Sequence, residues 1–577
     1  MPCPSAIART GLVLALLSPF SCASKGGAPN KERGRAPGGD GASSVNQPFP
    51  SQAELDAIAS KPAAPVDESR VLPTTVGEWT VASPVRSTFG QAKYTGDAAD
   101  AGVISNALPA GKQLDEGLMC VAQEHGRFYL QHGAVPPADI GMFIKARCGA
   151  AFSDLAFRRF VQPGPLPPVT PEFAATGLGG LPNHKRLGFW AGTDGENSIA
   201  IFLGGSSTID IEPFTFDNLP GGEVEIRGTL ANPLEYLSAT ASRGELGAIP
   251  CEAQATKSEL QFAFVCRVDT GREHTIVDIS GAPRGQILSR HLLAVLLAGG
   301  DAPPRYVAPT LQLPIDASDT SATALVTSIN ALRQGEGLDP VTVSTKQAEV
   351  AKGLLPHLTS PRTDPKLRNM VVLGLMAGWH VEGVIRRGTF VTSQERADMP
   401  IDRMLASMIF VPSRRASLLS SRTEVVATAT HDTVGGKMRM TLVSSFERFG
   451  DEDHSAHIEA TFDELDRQRR ARGNGPVIRV DGPRAIRLVQ QSTTRLRDGV
   501  SAPEAELERL SGELVKEFNR SFASILFAPM LLEGWRPDFP SELLDASEPQ
   551  VVVSIGYFSP AGQAWGQHSV FVVFTTD

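Results

Sequence analysis

Between positions 316 and 450 the apolar residues change their period, and that change constrains the fold more than any other feature of the chain. "DTSATALVTSINALRQGEGLDPVTV" opens with residues that cap helices and sets Leu325, Ile329 and Leu332 on one face, then stops at Gly335 and Gly337 ahead of Pro340. "STKQAEVAKGLLPHL" restarts with Ser344 and Gln347 spaced as a capping box, and turns Val350, Ala351 and Leu354 inward. A third helix is predicted through "LRNMVVLGLMAGW". The period then falls to two: "EVVATAT", a turn at Gly435–Gly436, and "MRMTLVSSF" predict a hairpin. Helices flanking a short sheet predict a layered α/β unit.

At 577 residues the chain is too long for one core, and about three or four domains are expected. The fold class is α+β and multidomain. Residues 75–165 read as a helical domain, with Leu114, Leu118, Val121 and Phe128 at helical spacing and Ile140, Phe143, Ile144 and Cys148 on a second apolar face. His125 and His132 lie on the first of these helices with no third metal ligand near them in sequence. Residues 166–315 read as a β-sandwich-like domain: "RLGFWAG" and "SIAIFLGG" flank "TDGEN", a hairpin signal, and "GGEVEIRGTL" alternates Val224, Ile226 and Leu230. Residues 451–577 read as an α/β C-terminal extension. It opens with the charged helix "ATFDELDRQRRARG" and continues with a stripe of Leu507, Leu510, Leu514, Phe518 and Phe522 behind a Ser501–Glu504 capping box. Its closing hairpin, "QVVVSIGYF" and "HSVFVVFTT", matches the one around "TDGEN" in shape only, so no repeat is read from it. "GDEDHSAH" gathers Asp451, Asp453, His454 and His457, and reads as a polar exposed turn rather than a metal trap.

The N-terminus is a targeting segment. Arg9 precedes the short apolar run "GLVLALLSPF", which is too short to span a bilayer and ends at "SCASKGG". A cysteine directly after such a run resembles a bacterial lipoprotein signal, departing from it at Pro19. In that reading residues 1–22 are a signal peptide and Cys22 carries the lipid. Residues 23–74 are rich in Gly, Ala, Pro, Ser and charge, which predicts a flexible linker. Export fits the other cysteines. Cys120, Cys148, Cys251 and Cys266 form an even set with three possible connectivities, and pairing sequence neighbours gives Cys120–Cys148 and Cys251–Cys266. The expected location is the cell envelope, outer-membrane-anchored, with the membrane as one partner through the lipid. A net charge of −9 and the absence of a basic stripe argue against nucleic acid.

In order and local wording, residues 316–450 resemble the CAP superfamily, also called SCP-like, in its bacterial form. "INALRQGEGLDPVTV" holds Asn330, Arg333, Gly337, Leu338 and Pro340 in matching places, and "HLTSP", "GWHVEGVIRRG", "VPSRRASLLSSRTEV" and "MRMTLVSSFERF" follow in the family's order. The resemblance implies a three-layer α/β/α sandwich with a shallow cavity lined by two histidines and two acids, a set able to hold a divalent metal. Carried over by position, it makes His357 the first histidine and Glu382 a cavity acid, with Gly383 where Asn is usual. Asp402 is the candidate for the second acid, and Arg414 stands where the second histidine belongs.

A guanidinium stays protonated and has no lone pair for a metal. The cavity is therefore read as degenerate, with no cofactor and no metal: either a Glu382–Arg414 ion pair replaces a metal cluster, or Arg414 points to solvent and His357 is an ordinary helix-end histidine. Intact catalytic motifs are absent: no G-x-S-x-G, H-E-x-x-H, P-loop or Rossmann glycine pattern occurs. The function expected is that of a non-catalytic envelope lipoprotein whose CAP domain binds an envelope ligand or protein, or serves as a structural platform. The alternative is a CAP-type hydrolase or metal-dependent enzyme acting on envelope polymer or peptide through His357 and Glu382.

Overall fold

The computed structural model describes residues 49–63, 72–82, 98–150, 154–165, 168–181, 183–206, 208–214, 222–243, 246–268, 275–283, 290–297, 305–316, 318–360, 363–450, 452–480, 482–518, 520–529, 532 and 535–575. The signal segment, Cys22 and the linker up to residue 48 lie outside the described residues. The chain divides into two compact units. Of the described residues, the larger takes those within Gln52–Met376 and Thr389–Phe446, and the smaller takes 49–51 and those within Ala377–Gly388 and 447–575.

The larger unit begins inside the segment expected to be a linker. Helix α1 (Gln52–Ala59) buries Leu55 and Ile58, because these two apolar residues sit one turn apart on a helical face. Strand β1 (Glu78–Thr80) follows.

A first α/β layer then runs α2 (Ala98–Asn106), β2 (Gln113–Leu114), α3 (Glu116–His132), α4 (Ala138–Arg147), β3 (Asp154–Pro163), α5 (Pro171–Gly179), β4 (Arg186–Thr193) and β5 (Asn197–Ser206). Its sheet has the order β2-β4-β5-β3, with β2 parallel to β4 and the other pairs antiparallel. The helix pair and the hairpin expected in separate domains are thus one fold. Gly188 on β4 lets α3 lie directly on the sheet: a Cβ there would stand 2.4 Å from the backbone of Leu118. A disulfide joins Cys120 on α3 to Cys148 at the end of α4, with Cα atoms 5.6 Å apart.

The sandwich follows: β6 (Ile209–Ile211), β7 (Glu223–Leu230), β8 (Leu234–Arg243), β9 (Gly247–Pro250), β10 (Glu252–Ala253), β11 (Gln261–Arg267), β12 (Thr275–Pro283) and β13 (Arg290–Leu297). Its two sheets run β10-β11-β7-β6 and β13-β12-β8-β9. Strict alternation on β7 turns Val224, Ile226 and Leu230 into a core shared with Phe264, Val277 and Ile279. The second disulfide, Cys251–Cys266, brings Cα atoms to 4.4 Å. Strand β14 (Arg305–Val307) returns to pair with β1.

The second layer comprises α6 (Ala322–Gly335), β15 (Thr342–Val343), α7 (Thr345–Thr359), α8 (Pro365–Ala377), β16 (Ile385–Arg396), α9 (Ile401–Ile409), α10 (Pro412–Leu418), β17 (Thr423–Thr433) and β18 (Met438–Arg448), with sheet order β15-β17-β18-β16. Ser321 and Ser344 cap α6 and α7 through their hydroxyls, as their spacing predicts. Gly353 on α7 leaves room for Ala59 of α1, whose Cβ would lie 2.6 Å from an added methyl.

The smaller unit holds a third layer: α11 (Ser455–Ala471), β19 (Ile478–Arg479), α12 (Pro483–Arg497), α13 (Pro503–Phe518), β20 (Phe522–Phe527), α14 (Ser541–Leu544), β21 (Gln550–Phe558) and β22 (Gln567–Thr575), in the order β19-β21-β22-β20. Again the short edge strand is parallel to the first hairpin strand, and the remaining pairs are antiparallel. Helix α13 starts at Pro503, and Ser501 accepts from Arg495 instead of forming the expected box with Glu504.

One topology therefore occurs three times, and the hairpins likened in shape alone occupy the same place in it. The second and third layers also agree in side-chain detail. Arg333 on α6 donates from Nε to Asp339 O (2.7 Å) and from its two Nη atoms to Leu418, Ser420 and Thr423 carbonyls. Arg469 on α11 donates from Nε to Gly475 O (2.8 Å) and onward to Leu543, Leu544 and Ala546 carbonyls. Both arginines are almost fully buried. Each joins the first helix to the carbonyls after the helix that precedes the hairpin, groups that would otherwise be orphaned. Three residues earlier, Asn330 and Asp466 accept from the amides of Val341 and Val477. In the first layer Lys112 reaches Leu181 O, just beyond α5, at 2.6 Å.

Candidate functional site

The four candidate cavity residues fall on four elements. His357 sits in the last turn of α7, is buried, and its Nε2 lies 3.1 Å from Lys61 O, beyond α1. Asp402 sits in the first turn of α9, with Oδ1 buried and without a hydrogen-bond partner. Arg414 lies on α10 and is half-buried. No hydrogen bond or ion pair among the described residues joins these three to one another. Glu382 belongs to the smaller unit, is exposed, and its carbonyl accepts from Arg448 at 3.4 Å.

Around Arg414 the larger unit places a set of charges that local sequence patterns did not single out. Burial pulls the Arg414 pKa below its ordinary value, and the nearby carboxylates of Asp278 on β12 and Glu395 on β16 act against that fall. Glu395 is 2% exposed and accepts from Ser407 Oγ at 2.8 Å and Ser393 Oγ at 3.2 Å. Burial pushes its pKa up to about 7, and the charge of Asp139 adds to that rise. Asp139, on α4, is fully buried and receives both Nη atoms of Arg403 on α9, one at 2.9 Å, as a forked pair. Tyr306 on β14 donates to the same carboxylate at 2.7 Å. Burial opposes the Arg403 charge, but the Asp139 pair outweighs it and holds the pKa above the ordinary value. The next residue along, Arg415, donates to Ile409 O (2.5 Å) and to Gly247 O of β9 (3.4 Å).

These contacts explain why α10 carries arginines. The helix packs on β8, β9 and β12 of the sandwich, which brings Arg414 within electrostatic reach of Asp278 on β12. Asp139, Tyr306 and Arg403 join the first layer, the β1–β14 pair and the second layer through one buried hydrogen-bonded network, with Glu395 within its electrostatic reach. Their sequence signal is a charge embedded in an apolar run: Asp139 before "IGMF", Asp278 within "TIVDIS", Arg403 within "IDRMLASMIFV".

No group of three His, Cys, Asp or Glu among the described residues is arranged to hold a metal ion. A depression of about 380 Å³ lies at the turn after α6, lined by Gly247, Glu336, Leu338, Arg415 and Leu419, and includes none of the four candidates. Among the described residues no helix is long and apolar enough to cross a membrane.

No protein-family model matches the sequence, and no curated protein matches it. Among solved structures the chain is similar to a cysteine-rich secretory protein from Staphylococcus aureus subsp. aureus Mu50, at 15% identity over 39% of this chain and 78% of that one, with a TM-score of 0.16. It is also similar to an extracellular protein containing an SCP domain from Bacillus anthracis str. Ames, at 11% identity over 40% of this chain and 84% of that one, with a TM-score of 0.17.

Proposed function

We propose that this protein is a non-catalytic, exported lipoprotein of the cell envelope, in which a degenerate CAP domain works as a structural or binding module. The observation that supports it best is the fate of Arg414. It lies on a helix packed against the sandwich, within electrostatic reach of Asp278 and Glu395, which supports a docking role for the residue that replaces the ligand. His357, the candidate ligand that remains, is turned to the carbonyl of Lys61. The two disulfides favour an oxidising compartment. The lipid on Cys22, outer-membrane anchoring and an envelope ligand or protein as partner belong to the same proposal and rest on the sequence.

A zinc titration of the whole chain and of His357→Ala tests the non-catalytic reading. The expected result is no saturable binding that depends on His357. Micromolar or tighter binding lost in His357→Ala would revive the hydrolase acting through His357 and Glu382. Palmitate labelling of the full precursor in cells, lost in Cys22→Ser, tests the anchor.

A further inference from the structure

The smaller unit contains a second group of titratable side chains, unrelated to the candidate cavity. His568, the second residue of β22, is 0% exposed, and among the described residues neither ring nitrogen has a hydrogen-bond partner. The ring of His454, at the head of α11, lies 5.9 Å away, and that of His457, one turn along, lies 6.3 Å from His454. The Nδ1 atoms of both are buried and unpartnered. Phe449 meets His568 edge-on at 4.9 Å and stacks on Tyr557 of β21 at 4.9 Å. Arg386, at the start of β16, places its guanidinium 5.6 Å from the centre of the Phe449 ring. Among the described residues the other charged groups acting on His454 are Glu452, Arg386 and Asp453, and on His568 Arg386. Arg386 pairs with Glu452 at 2.6 Å, and Asp453 accepts from the amide of Ser455 at 2.9 Å. Any proton added to these rings thus enters an aromatic site whose nearest acid is already committed to an arginine.

We propose that the His454–His568 ring contact, with His457 beside it, is an acid-sensitive latch, which holds the head of α11 against β22 while those two rings are neutral and releases it when they protonate. Burial, then the Arg386 charge and the neighbouring histidines, lower the His568 pKa to about 3, and burial also lowers that of His454. A histidine held low in the folded state binds fewer protons there than in the open chain. Stability is therefore complete above the ordinary histidine pKa of about 6.5, and falls as pH drops toward the folded value. Each such ring shifts the closed-to-open ratio by up to about tenfold per pH unit in that window.

The test is hydrogen exchange on the whole chain, corrected for the intrinsic effect of pH, read on peptides covering 452–460 and 566–571. Between pH 7 and pH 5 protection of both is expected to fall at least about tenfold. His568→Leu should remove most of that dependence. Because this core variant can fail to fold, His454→Gln and His457→Gln are measured beside it, and each should weaken the dependence in a folded chain. Equal protection at both pH values, or an unchanged loss in the Gln variants, would overturn the latch. A His454-dependent rise in melting temperature on adding zinc at pH 7 would also overturn it, by making the trio a metal site.

Discussion

At the residue scale the determining features are buried cations that find oxygen. Arg333 and Arg469 each satisfy four backbone carbonyls, a task for a planar fork that a lysine cannot copy. Arg333→Lys and Arg469→Lys are each expected to lower the stability of their own compact unit by about 3 kcal/mol, because buried acceptors lose partners. Urea denaturation would measure it, and a loss below about 0.5 kcal/mol would rule out the clamp. Arg403 differs in having a carboxylate as its target. Arg403→Met leaves Asp139 buried with the Tyr306 hydroxyl and the Ile140 amide as its neutral donors and no counter-charge paired to it, and a loss of about 3–5 kcal/mol is expected. Removing both charges, in Asp139→Asn with Arg403→Met, should restore part of that loss, which a double-mutant cycle would show.

At the scale of elements, much was legible in the sequence and one relation was not. Caps at Ser321 and Ser344, the hairpin at Gly435–Gly436 and the alternation of β7 stand where local pattern places them, because each depends on neighbours a few residues away. The disulfide pairing of sequence neighbours also holds. The threefold topology was hidden because a shared fold needs little shared wording: the clamp keeps an arginine, a left-handed glycine four residues later and a valine eight residues later, and little else. Gly337 and Gly473 are those glycines, with φ of 71° and 84°. Gly473→Ala should cost about 1 kcal/mol in the smaller unit through strain alone, visible as a small drop in melting temperature. The tether was misjudged over Gln52–Ala59, where two apolar residues suffice once α7 offers a glycine to pack on. The candidate site was only partly legible, since the partners of Arg414 come from strands far away in sequence.

At the scale of the molecule, the two compact units are expected to respond to acid in opposite directions. In the larger, Glu395 is a buried acid whose pKa is raised from 4.5 to about 7, so the folded state holds a proton that the unfolded chain releases. Its contribution is full below about pH 4.5 and falls as pH rises through 7, by about 3 kcal/mol at most. Glu395→Gln should flatten that decline in denaturation at pH 5 and pH 7.5. His454 and His568, whose pKa values burial lowers, give the smaller unit the reverse trend.

We propose that Arg414 serves docking within the larger unit rather than a metal cavity. The most direct measurement is urea denaturation of Arg414→His, which restores the residue the resembled family uses, with and without zinc. The prediction is a loss of about 2 kcal/mol in the larger unit that zinc does not recover. A variant as stable as the natural chain, with a midpoint raised by zinc only while His357 is present, would contradict it.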